Sequence, residues 1–81
     1  MKDEELISRI DELIREEHEL HHHSSAGRPI STGDARRLGE LHVQLDQLWD
    51  LLRRRRARRG AGEDPDLAEL RSAEVVEDYE Q

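Results

Sequence analysis

Leucines recur at 38, 41, 45, 48 and 52 within the stretch DARRLGELHVQLDQLWDLLRRRRARR at 34–59. Steps of three and four residues place them on one stripe of a helix, the heptad rhythm of helices packed on helices. A second stripe runs through Leu6, Ile10, Leu13 and Leu20, with Ile7 and Ile14 widening it on one side. Glu17 interrupts that stripe where another apolar residue would fit. The two stripes predict helices over about 3–23 and 34–59. The segment SSAGRPISTG between them has loop chemistry. Gly27 can end the first helix, and Pro29 prevents its continuation. Ser31 is the expected N-cap of the second helix, with Asp34 three residues on in a capping-box position and Ile30 as a staple. A connection of this length joins antiparallel helices.

Beyond 59, Gly60 and Gly62 stop the second helix, and Asp64-Pro65 reads as a cap followed by proline at a first helical position. A short helix is expected over 66–71. The rest carries Val75, Val76 and Tyr79 but little else to bury. The predicted organisation is therefore all-α: a two-helix antiparallel hairpin over 1–62, and an acidic C-terminal tail over 63–81, mobile or a short helix. One neighbour covers each stripe only in part, so self-association is expected, most simply as a four-helix bundle dimer. Leu6, Ile10, Leu13, Leu38, Leu41, Leu45, Leu48 and Leu52 would form its seam. Trp49 and Leu51 lie beside that seam, where Trp49 is expected to be oligomer core, the alternative being an anchor for a partner groove. Gly39, one position from the stripe, either costs about 1 kcal/mol of helix propensity or permits a close helix approach.

Composition sharpens this picture. The chain has 81 residues, 41% of them charged, with no Phe, one Trp and one Tyr, too few aromatic and β-branched residues for a sheet fold. Cysteine is absent, which excludes disulfides and thiolate chemistry and suits a reducing compartment. The N-terminus MKDEELISRI has no long apolar run, so neither a signal peptide nor a membrane span is expected, and the cytoplasm is the predicted location.

Charge is distributed in blocks. Eight acids against three bases give the first helical segment −5, eight arginines against four acids give 34–59 a charge of +4, and 60–81 carries −7. Counting outward from the loop places Asp3, Glu4 and Glu5 beside Arg53–Arg56. Such pairs contribute about 0–1 kcal/mol each, yet they select antiparallel over parallel pairing.

Six arginines, Arg53, Arg54, Arg55, Arg56, Arg58 and Arg59, fall within seven residues. A basic run can contact nucleic-acid phosphates. Here successive residues turn by about 100°, so the arginines ring the helix as a collar, and no aromatic is interleaved for base stacking. Acids at 3–5 and 63–80 can neutralise the collar from two sides. A docking surface for an acidic partner or for the chain's own acidic tail, with Trp49 beside it, is the preferred reading. A nucleic-acid-associated regulator, autoinhibited by the acidic tail, is the alternative.

His18 and His22 are spaced i,i+4 and could share a metal, and Glu19 with His22 forms a Glu-x-x-His pair of the kind used in di-iron bundles. The matching level of the second helix offers Glu40 alone, so no metal or other cofactor is expected. His21–His23 read as native sequence. No glycine-rich phosphate loop or nucleophile–base arrangement is present, and the expected function is non-enzymatic.

The segments ISRIDELIREEH, IST and LGELHVQLDQLWDLLRRRRARRGAGEDPD resemble a family of small actinobacterial proteins known only as a domain of unknown function. The resemblance reaches to about Asp66, with LDQLWDLLRRRRARR and GEDPD its most specific part, and is weaker after Leu67. It implies a short, cytosolic, helical protein and carries no activity, ligand or catalytic residue.

Overall fold

The computed structural model describes residues 2–23 and 29–80. The expected helix stop at Gly27 and the side chain of Tyr79 lie outside that description. Helix α1 spans Asp3–His23, α2 spans Thr32–Gly60 and α3 spans Ala73–Glu80, with a 3₁₀ turn at Pro65–Leu67. Helices α1 and α2 run antiparallel, with the Asp3–Arg55 ion pair at one end and His23 Nδ1 3.9 Å from the Asp34 carboxylate at the other. Leu6, Ile10, Leu13 and Leu20 of α1 are buried, as are Leu38, Leu41, Leu45, Leu48 and Leu52 of α2. A single chain therefore encloses the apolar stripe.

Local chemistry explains both ends of α2. The Ser31 side chain accepts from the Asp34 backbone N–H at 3.1 Å, which satisfies one of the unpaired donors of the first turn. At the far end the Glu63 N–H donates to the Arg58 carbonyl (2.8 Å) and the Gly62 N–H to the Arg59 carbonyl (3.1 Å), the two bonds of a Schellman stop. That stop needs a left-handed residue, and Gly62 supplies it at φ 77°. An apolar contact commonly accompanies this motif; here Arg58 and Glu63 form an ion pair at 2.9 Å instead.

The Schellman stop turns the chain back, which corrects the two-helix expectation. Residues 61–80 form a strap on α2: 61–71 descend antiparallel along it, and a third helix follows and packs on α2. Its direction follows from its partners. Asp66 meets Arg55, the Glu69 carbonyl meets Arg54, and Arg71 meets Asp50 and Gln47. Ala68 joins the same buried cluster as the seam leucines and Leu51, and Val76 is buried at 1% exposure. Among the described residues the chain has three α-helices, so the helix count behind a four-helix bundle of two hairpins does not apply. The expectation failed because the strap has few apolar residues and no periodic stripe. Its attachment is mostly polar, and polar attachment leaves no periodicity to read. The short helix expected over 66–71 is only a 3₁₀ turn, and its start follows the cap chemistry: the Asp64 side chain accepts from the Asp66 N–H, with Pro65 next. Helix α3 packs on α2 and, among the described residues, not on α1.

Candidate functional site: the arginine end of α2

The arginine run divides according to what lies beside each turn of α2. Arg55 is not part of an exposed collar; it is buried at 4% exposure. Its Nε donates to Asp3 at 2.6 Å, and its Nη1 donates to Asp66 at 2.9 Å and to the Pro65 carbonyl at 3.2 Å. One guanidinium thus joins the start of α1, the end of α2 and the strap. Its five fixed N–H donors suit this role better than a lysine ammonium would. Arg59 shares Asp3 from the other side at 2.9 Å. The Arg59 and Arg55 guanidiniums hold the Asp3 carboxyl down to about 2, and Asp3 and Asp66 in turn raise the pKa of Arg55.

One turn earlier lies a second knot, which the sequence reading missed. Asp50 is buried and accepts from Arg54 Nε at 3.0 Å and Arg71 Nε at 3.0 Å, with a further bond from Arg71 Nη2. Arg71, then Arg54, lowers the Asp50 pKa. Arg54 also donates to the Glu69 carbonyl, and Gln47 donates to the Arg71 carbonyl at 3.1 Å. Two signals were available in the chain. Asp50 is the only charge in the run LWDLL, and Arg71 is the only cation in the segment 60–81. A carboxylate in an apolar run needs a partner, and a lone cation in an acidic strap is the natural candidate.

The remaining arginines face outward. Arg53 and Arg56 are exposed, and Arg59 is half-exposed. Trp49 is 39% exposed. It shares a side of α2 with Arg53 and Arg56, because positions i, i+4 and i+7 fall on one helix face. The printed bonds of the 61–71 segment fall on positions 47, 50, 54 and 55, toward the other side of the helix. Ile7 and Ile14 of α1 are also exposed.

The histidines do not assemble. His18 and His22 are exposed, and among the described residues no group of three or more His, Cys, Asp or Glu is placed to hold a metal ion. His42 Nε2 lies 2.6 Å from Glu17, so the acid that interrupts the α1 stripe meets a polar partner on α2. Arg37 bridges Glu16 (Nη2–Oε1 3.0 Å) and Glu40, which lowers the Glu16 pKa and raises that of Arg37.

Comparison with known proteins matches residues 2–81 to a family described as "Protein of unknown function (DUF2630)". The chain belongs to this family. An uncharacterized protein of Mycobacterium bovis and one of Mycobacterium tuberculosis are each 39% identical to it over 77 residues, covering 95% of this chain and 88% of the relative. No solved structure matches. Among the described residues of this DUF2630 chain, no helix is long and apolar enough to cross a membrane. Its arginine-rich end is a network of ion pairs that closes the fold on one side and leaves a charged surface on the other.

Proposed function

We propose that this DUF2630 protein is a cytoplasmic, non-enzymatic interaction module, and that the Trp49–Arg53–Arg56 face of α2 docks an acidic partner that carries an apolar anchor. The observation that carries this reading is the division of the arginine run. Arg55 is buried among the chain's own carboxylates, whereas Trp49, Arg53 and Arg56 are exposed and share one side of α2. Tryptophan and arginine are the residues most enriched where protein partners meet, because one supplies apolar area and the other oriented charge. Trp49 is the single tryptophan, so its emission reports directly on this face. Titration with a peptide of alternating glutamate and leucine residues is expected to shift that emission, and Arg53→Glu with Arg56→Glu is expected to abolish the shift. An emission spectrum indifferent to the peptide would count decisively against the reading.

The alternative, a nucleic-acid-associated regulator masked by the acidic strap, draws support from Asp66 and Glu63 on Arg55 and Arg58. It requires that charge reversal at both acids unmask binding to DNA or RNA that weakens steeply with salt. The strap's buried Ala68 and Val76 favour the first reading, since a removable mask has no need of a buried core.

A further inference from the structure

Between α1 and the descending strap lies a groove of about 640 Å³. Leu48 and Gln44 of α2 lie at its floor, Leu70 forms the strap side, and Glu4, Glu5 and Glu12 stand along α1. Leu70 is 54% exposed, so the groove opens onto an uncovered aliphatic wall. Arg9 also lines it but is tied to Glu12 at 3.1 Å, which leaves the lip acidic at Glu4 and Glu5. An apolar trough with a carboxylate lip fits a large apolar side chain flanked by cations.

The chain displays such a group on its other flank. Trp49, Arg53 and Arg56 stand exposed on α2. A helix advances about 100° per residue, so Trp49 points well away from the direction of Leu48 and Gln44. A chain therefore cannot place its own Trp49 in its own groove. We infer that the groove receives the Trp49–Arg53–Arg56 face of a second copy of the chain. This rests on the reading of that face as a docking surface, and it names the acidic partner.

The tryptophan ring supplies most of the attraction through area removed from water, and the exposed ion pairs set its orientation. A net charge of −7 makes two copies repel, but the screening length is about 8 Å at physiological salt, so contact between the unlike faces decides the outcome. The two faces differ, so the interface is head-to-tail and an open complex of any length still offers one free groove and one free tryptophan.

That property supplies the test. Glu4→Lys with Glu5→Lys and Leu70→Glu disables the groove and leaves Trp49 intact. Trp49→Ala with Arg56→Glu disables the other face and leaves the groove intact. All five positions are exposed, and circular dichroism checks that both variants retain their helices. Sedimentation of the unaltered chain from micromolar to millimolar concentration is expected to show a mass that grows with concentration. Each variant alone is expected to stay monomeric. Their equimolar mixture is expected to double in mass and stop there, with the one remaining type of tryptophan shifting its emission to the blue. A monomeric parent at all concentrations, a mixture that does not associate, or variants that still dimerise alone would each overturn the inference. If the parent is monomeric yet Trp49 still responds to the acidic peptide, self-docking falls and the interaction-module reading stands.

Discussion

Helix α2 is held on two sides by different physics. Against α1 it presents five leucines to four aliphatic residues, all buried, with ion pairs only at the edges. Against the strap it presents Asp50, Arg54, Arg55, Arg58 and Gln47, and the apolar contribution of the strap reduces to Ala68 and Val76. The first interface is non-directional and proportional to area. The second depends on charge and on matched donors and acceptors, so it responds to pH and salt. The lesson is that a small helical chain can attach a segment too polar to bury itself, provided the guanidiniums are fixed by the helix they project from.

That contrast can be tested by breaking each side separately. The largest effect is expected from Leu41→Ala, at a residue with no exposure, which should lower global stability by about 2–5 kcal/mol in denaturant unfolding. The strap should be lost together with the seam. Asp50→Ala comes next. It leaves Arg54 and Arg71 facing each other without their shared carboxylate, at a cost of about 1–3 kcal/mol. This loss should be local: hydrogen exchange should quicken over 68–78 while α1 and the seam side of α2 keep their protection. Equal acceleration in α1 would show that the two interfaces are not separable.

Acid should distinguish the sides without mutation. Asp3, Glu16 and Asp50 all have folded pKa values below their ordinary ones. A depressed carboxylate stabilises the fold fully above its unfolded pKa and loses that contribution as the pH falls through its folded value. For Asp3 the window runs from 3.8 down to about 2. Asp50 is the depressed carboxylate of the strap attachment, so strap protection is expected to fall as the pH drops below the ordinary carboxylate range. Protonation of Asp3 and Glu16 loosens the edges of the α1–α2 pairing and leaves its leucine contacts, which carry no titrating group. The smallest effect is a gain. A Cβ at Gly39 would meet nothing within 4 Å, so Gly39→Ala should raise the unfolding midpoint in proportion to about 1 kcal/mol without altering the strap. The same open space removes close helix approach as the reason for this glycine.

Much of the α1–α2 half is legible in the residues. The leucine spacing marks the stripe that is buried, Ser31 caps α2, and Asp3 stands beside Arg55, one of the arginines that outward counting from the loop indicates, while Glu4 and Glu5 line the groove instead. The candidate site is less legible. The arginine run signals a cationic end, but a ring of like residues carries no sign of which members are covered. Arg55 looks no different from Arg56 in sequence, yet one is buried among two carboxylates and a carbonyl and the other is exposed.

The sequence by itself determined an all-helical chain with two long heptad helices, their caps and a block pattern of charge, because apolar periodicity and cap chemistry are written within a few residues of where they act. Only the tertiary structure decided that the acidic segment forms a strap with a third helix, that Asp50 and Arg71 lock it down, and that Trp49 stays outside with Arg53 and Arg56. Charge partners separated by 11 to 52 positions meet only after the chain has turned back on itself, and no local pattern encodes which of several equivalent guanidiniums each carboxylate will reach.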